Sequence, residues 1–223
     1  MTRRLVLLHT VPGLIPAFRD LADELLPDDV ELANVVDETL LKDAIAGGGV
    51  SASINRRVMG HVVSAMDAGA VAVLATCSSI GPAVELARAL SDIPVLRVDD
   101  PMADEAVELG GRIAVVATLQ STLEPTTALV RARARLRGRE VDVVSRLCEG
   151  AFDAVVRGEG ARHDELVRNE LRSVASEVDA IVLAQASTAR VANSMDPDAI
   201  NVPVLSSPRS GLQQTVALLE RAV

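Results

Sequence analysis

Short runs of Val, Ile, Leu and Ala alternate along the chain with longer segments in which apolar residues recur every three or four positions. The first pattern fits strands buried on both faces, and the second fits helices that bury one face. Together they predict an α/β fold with mainly parallel sheets flanked by helices. Strands are expected at 5–8, 30–36, 71–76, 95–98, 113–117, 141–144, 181–184 and 204–205. Helices are expected at 14–26, 38–46, 54–68, 82–90, 102–109, 123–136, 146–157, 161–176, 189–193 and 211–221. Asp100 before Pro101 reads as an N-cap with proline at the first helical position, and Gly110 stands where that helix should stop. Ser121 with Glu124, and Ser210 with Gln213, have the spacing of capping boxes.

The chain also resembles itself. A shift of 108 positions lays Arg4–Thr10 over Arg112–Thr118 and Val71–Ser79 over Asp179–Ser187, both without a gap. Ile93–Leu96 falls on Val202–Leu205 with one residue of slip. Any two strand-turn-helix units share some of this, but one constant shift for both stretches favours two similar lobes. Cys77 then stands over Gln185 and Thr10 over Thr118, all at the carboxyl ends of strands, where open α/β sheets bind ligands. A site between the lobes follows as an expectation.

Composition narrows the chemistry. Hydrophobic residues make up 49% of 223, enough for a packed core. With 22 Lys and Arg against 31 Asp and Glu, the net charge of −9 argues against nucleic acid or an anionic membrane surface as the partner. The two aromatics, Phe18 and Phe152, provide no stacking platform. No apolar run is long enough to span a membrane. Two cysteines with no apolar leader point to a reduced cytoplasm. Cys77, Cys148 and three scattered histidines lack metal-ligand spacing, and Gly47–Gly49 lacks the lysine or spacing of a phosphate loop. No metal and no cofactor are expected, and a small molecule is the better partner.

The stretch Val71–Ser79, with Cys77 and two serines closing an apolar strand, resembles the catalytic-cysteine strand of the aspartate/glutamate racemase superfamily. Val116–Thr122 is similar to the Thr-rich turn that opens that family's second lobe, and Ile181–Gln185 to the strand that usually ends in a second cysteine. The resemblance implies two pseudo-symmetric lobes facing across an active-site cleft, at 1–105 and 106–208, with a C-terminal helix at 209–223 returning to the first. It also implies a cofactor-independent enzyme, a small carboxylate substrate and a catalytic Cys77; dimers are common among relatives, so a homo-oligomer is one expectation. Gln185 departs from the pattern, and Cys148, placed inside the helix expected at 146–157, does not replace the missing thiol. Two-base racemisation needs two titratable groups on opposite sides of the substrate, and an amide cannot be one. A single cysteine can still be base and acid in turn, protonate an enolate after decarboxylation, or attack as a nucleophile. A racemase-like isomerase is the first reading, with Gln185 donating a hydrogen bond to substrate oxygen. A decarboxylase of a malonate-type acid is the alternative, although such enzymes retain the cysteine of the second lobe. A small-molecule binding protein with a vestigial site is the third.

Cys77 precedes Ser78, Ser79 and a helix from about Pro82, whose N–H groups and dipole favour a thiolate or a bound carboxylate. The bland alternative is a buried structural cysteine. Ser78, Ser79, Thr118, Ser121, Thr122 and Ser187 fall at strand ends as donors for a carboxylate, and each is equally an ordinary N-cap. His9 and Thr10 close the first strand; His9 is a candidate for the missing base or a buried, hydrogen-bonded histidine. His61 and His163 read as solvated. The glycines at 47–49 and the segment after them read as a flap whose Ser53, Asn55 or Arg56 reaches substrate, or as a surface turn capped by Ser53. Arg131, Arg133, Arg135, Arg137 and Arg139 read as a solvated helix end, with an oligomer contact or anion site as the weaker view. Cys148 shares helical spacing with Phe152 and Val155 and reads as core.

Overall fold

The structure is a computed structural model that describes residues 2–221, the Pro197 side chain apart. It divides into two compact units, Met1–Pro101 with Pro208–Val223 and Met102–Ser207. The first carries β1 (Arg3–His9), α1 (Ile15–Leu25), β2 (Val30–Val36), α2 (Glu38–Ala46), α3 (Ala52–Asp67), β3 (Ala70–Ala75), α4 (Gly81–Leu90) and β4 (Val95–Arg97). All four strands are parallel, in the order β2-β1-β3-β4. Successive side chains of a strand point to opposite faces, and β1 shows the consequence. Val6 and Leu8 join a cluster with Leu40, Ile54, Val58 and Val84 from α2, α3 and α4. Leu5 and Leu7 meet Phe18 of α1, together with Leu212 and Leu219 from the end of the chain.

The second unit contains most of α5 (Asp100–Leu109), then β5 (Arg112–Ala117), α6 (Gln120–Leu136), β6 (Asp142–Leu147), α7 (Ala151–Val156), α8 (Gly160–Ala175), β7 (Ala180–Leu183), α9 (Ala189–Asn193) and β8 (Val204–Ser206). Its sheet is again parallel, in the order β6-β5-β7-β8. Ile113, Val115 and Ala117 face Met102, Ala106 and Val130, while Ala114 and Val116 face Val167, Leu171 and Val174. The final helix, α10 (Ser207–Arg221), belongs to the first unit from Pro208 onward; residues 222 and 223 of the helix expected at 209–223 lie outside the described residues. The two sheets have the same strand order, and the shift of 108 extends to helices the sequence comparison had not paired: α3 at 52–67 and α8 at 160–175. Among the described residues no helix is long and apolar enough to cross a membrane.

Four expectations about local structure change. The helix expected at 146–157 is a strand end, a turn and a short helix. Arg146 and Leu147 extend β6 against Val116 and Ala117, and Gly150, at φ +75°, turns the chain before α7. Cys148 therefore sits in the turn that closes β6, buried, with its N–H on the Ala117 carbonyl. Helix α6 starts at Gln120, so Ser121 lies in its first turn and forms no capping box, and Glu124 accepts from Gln120 instead. Helix α10 starts at Ser207, which places Ser210 inside it. The cap of α3 is Ser51, whose Oγ accepts from the Ile54 N–H at 3.3 Å, and Ser53 is exposed within the helix.

Candidate active site

In the first unit β3 ends at Ala75, and Thr76 and Cys77 continue extended, Cys77 at φ −130°, ψ 117°. A single 3₁₀ turn, Ser78–Ile80, then leads directly into α4 at Gly81. Because the chain reverses just after the cysteine, the Ser79 and Ile80 N–H groups point back at its sulfur. The Ser79 and Thr10 hydroxyls join them. Thr10 is 3% exposed and its Oγ1 is buried without a hydrogen-bond partner, which leaves its proton available to favour charge on the sulfur. Burial nevertheless pushes the Cys77 thiol up from its ordinary value, and the four donors pull against that shift without cancelling it. The expected thiolate is thus corrected: at neutral pH Cys77 is a protonated thiol surrounded by groups that stabilise its anion once the proton has left.

The other residues expected in this half divide into three kinds. His9 is fully buried, with Nε2 2.9 Å from Asn34 Oδ1, Nδ1 2.9 Å from Thr76 Oγ1, and the Phe18 ring edge-on at 5.5 Å. Burial lowers its pKa and holds it neutral. With both nitrogens engaged inside the fold, His9 takes the form of the buried, hydrogen-bonded histidine that was the alternative to a base. Ser78 is likewise buried and turned away, its hydroxyl donating to the Asp99 carboxylate. Asn55, in the first turn of α3, has an Oδ1 that is buried without a partner. The residue before it, Ile54, belongs to the cluster against which Cys77 packs. Arg56 is exposed.

The second unit repeats this backbone with different side chains. Gln185 follows β7 with backbone angles, φ −122° and ψ 129°, similar to those of Cys77, and a 3₁₀ turn, Ala186–Thr188, leads into α9. Its Oε1 accepts from the Thr118 N–H at 2.6 Å and from Thr118 Oγ1 at 3.0 Å. Only an oxygen can accept a backbone N–H, so the amide orientation is fixed and Nε2 is left as the donor. Thr118 is therefore a clamp on Gln185. Ser121 Oγ is buried and unpartnered, Thr122 is buried with its interactions inside the fold, and Ser187 is exposed. Cys148 is buried, and desolvation with the Glu170 charge pushes its thiol up to about 12, which keeps it inert.

Two clusters escaped the sequence reading. Asp37, which follows β2, accepts from His61, Thr39 and Arg57; burial opposes its ionisation, but these bonds hold its carboxyl well below the usual range. At the end of β4, Arg97 forms a buried bidentate ion pair with Asp99, 3% and 1% exposed, at 2.9 and 2.8 Å. The Arg-Val-Asp-Asp sequence was its only trace, and it reads as easily as the polar end of a strand. His163, expected in solvent, is buried and bonded to Asp164. The arginine run is partly tied down: Arg133 and Arg137 bind Asp104 and Arg139 pairs with Glu108, and Arg131, Arg135 and Arg139 border a surface hollow of about 640 Å³. Among the described residues no group of three His, Cys, Asp or Glu converges to hold a metal ion.

Fold and site together define a two-unit parallel α/β protein with a donor-ringed thiol at a strand end in one unit and a clamped amide at the same point of the other. Residues 14–215 match the family model for Asp/Glu/Hydantoin racemases, and the chain belongs to that family. Three solved structures illustrate the shared fold. Allantoin racemase from Klebsiella pneumoniae is 16% identical with a TM-score of 0.73, covering 100% of this chain and 89% of its own. Glutamate racemase from Francisella tularensis, in complex with D-glutamate, is 15% identical with a TM-score of 0.77, covering 99% and 82%. Picrophilus torridus aspartate racemase is 12% identical with a TM-score of 0.69, covering 96% and 94%. No curated protein sequence matches the chain.

Proposed function

We propose that this protein is a cofactor-independent, racemase-like isomerase that moves the proton on the carbon next to a carboxyl or carbonyl group of a small acid, with Cys77 as its single proton-transferring group. The reading rests on one observation above all: the Ser79 hydroxyl, the Ser79 and Ile80 N–H groups and the otherwise unpartnered Thr10 hydroxyl all favour the anion of Cys77 at the turn that closes β3. The thiolate fraction of Cys77 takes the proton from the substrate carbon, leaving a carbanion and a thiol, and that thiol then returns a proton to the carbanion; the prepared anion site makes the thiolate accessible despite its burial. The donors act on the charge as it develops, where preorganised dipoles contribute most. Gln185 supplies Nε2–H to a substrate oxygen, its own Oε1 being committed to Thr118. Family membership supports the reaction class, and the allantoin, glutamate and aspartate racemases sharing the fold define the substrates to try first.

The test is proton exchange in deuterium oxide, followed by NMR over a panel of amino, hydroxy and malonate-type acids and hydantoins, for wild type and Cys77→Ala. Exchange or inversion that disappears in the variant, without carbon dioxide, is the expected result. Equal exchange in both proteins would remove Cys77 from the chemistry. Release of carbon dioxide with deuterium in the product would replace isomerisation by decarboxylation. No turnover together with slow, unassisted alkylation of Cys77 would replace catalysis by ligand binding.

A further inference from the structure

The turn that aims N–H groups at Cys77 rests on the buried Arg97–Asp99 pair at both of its ends. At the start, Ser78 donates its hydroxyl to Asp99. At the end, Gly81 lies against the Arg97 guanidinium so closely that a Cβ there would fall 2.4–2.7 Å from its carbon and nitrogens. Arg97 is held in turn by Asp99 through two hydrogen bonds and by Glu85 through a third. Between these anchored ends lie Ser79 and Ile80, the residues whose N–H groups face the sulfur.

The second unit supplies an internal control, because it has the same turn without the thiol. The sheet pairs Ala75 with Arg97 in the first unit and Leu183 with Ser206 in the second, so Ser206 stands where Arg97 does. Under the same shift Ser78 becomes Ala186 and Gly81 becomes Ala189. Asp99, followed through the one-residue slip, becomes Pro208. Every member of the clamp is absent from the half in which glutamine replaces cysteine. A scaffold needed only for folding would be expected in both halves.

We propose that Arg97, Asp99, Ser78 and Gly81 form a positioning clamp that sets the proton affinity of the Cys77 thiol by holding the Ser79 and Ile80 N–H groups on its sulfur. The clamp touches no substrate. It deepens the reading of Cys77 as the proton-transferring group and rests on it. Neutral Arg97 or Asp99 replacements strand a buried charge and are expected to destabilise the protein, so the test uses Ser78→Ala, which leaves the ion pair intact. Gly81→Ala supports it from the other end.

Alkylation of Cys77 by iodoacetamide is measured from pH 7 to 11 on the full chain, with peptide mass spectrometry separating it from Cys148, and thermal unfolding is recorded beside it. Ser78→Ala and Gly81→Ala are expected to move the Cys77 midpoint up by about one unit, lowering the rate at fixed pH below it by about fourfold because the weaker acid is the better nucleophile. Ala189→Gly, at the matching point of the second unit, is expected to leave the curve in place. Reduced melting temperature with an unmoved Cys77 curve in both first-unit variants would overturn the clamp and leave an ordinary structural ion pair. The readout is titration and not turnover. An inactive Cys77→Ala beside an unmoved Ser78→Ala curve therefore removes the clamp alone, whereas an active Cys77→Ala removes the proposed function alone.

Discussion

Thr10 carries a buried hydroxyl without a hydrogen-bond partner, and a fold selected for stability alone would have valine there. An unpaired buried hydroxyl costs about 1–3 kcal/mol, so replacing it by a methyl of the same shape should be neutral or stabilising. The same hydroxyl favours the Cys77 anion, and its loss must make that anion harder to form. Thr10→Val is therefore expected to hold or raise the melting temperature while lowering Cys77-dependent exchange by about tenfold, measured as thermal unfolding beside isotope exchange. A parallel fall in both would make Thr10 a structural residue. Its counterpart Thr118 carries the opposite expectation, because its N–H and hydroxyl are both used to fix Gln185.

The central strands β1, β3, β5 and β7 were read within a few residues because they are buried on both faces and appear as apolar runs; β2, at Val30–Val36, is only half-buried and interrupted by Glu31 and Asn34, yet matches its expected bounds. Helix ends were harder to place. Ser53, Ser121 and Ser210 all have the composition of caps, but a cap depends on where the backbone first turns. In α3 that falls two residues earlier, at Ser51. The 146–157 segment misled for a related reason: Cys148, Phe152 and Val155 have helical spacing, and only the β5 pairing and the left-handed Gly150 show that the strand continues through Leu147. Of the candidate site, Cys77 was singled out only through the resemblance of Val71–Ser79 to the racemase strand, its local pattern alone reading as a buried structural cysteine, and the Arg97–Asp99 support was not singled out at all, since ion pairing behind a strand leaves no periodicity. Helices α8 and α9 are joined by another such cluster, in which Asp164 accepts from Arg190 at 2.7 Å and from His163 at 2.8 Å. These bonds, Arg190's first, lower Asp164 from 3.8 to about 2. A lowered carboxyl contributes stability that is present above its ordinary value and lost as the pH falls through its folded one. Because Arg190 is largely exposed, about 1 kcal/mol is expected. Asp164→Asn should lose that amount at pH 7 by urea unfolding, and its deficit against wild type should close between about pH 4 and pH 2.

At the scale of the molecule, the doubled sheet is not two successive domains along the chain, since the first unit is closed by α10, which arrives after the second has been completed. Sequence self-similarity revealed the doubling but not what this return does. Leu212 is fully buried and Leu219 2% exposed, and both pack with Phe18, Leu5 and Leu7 on one face of the first sheet. Gly211 sits so close to Val98 that a Cβ would meet its carbonyl oxygen at 2.5 Å. The face of the first sheet that positions Phe18 behind His9 is thus finished by residues far away in sequence, and the chain must be nearly complete before it can form. Leu212→Ala is expected to destabilise the protein by about 3 kcal/mol, against less than about 0.5 for Leu136→Ala at an exposed site of the second unit. If the units unfold together, Leu212→Ala moves one transition detected throughout by hydrogen exchange. If they unfold separately, it lowers protection in β1 and β3 and leaves β5 and β7 unchanged. The second pattern is the one expected, because the contacts Leu212 loses all belong to the first unit's core.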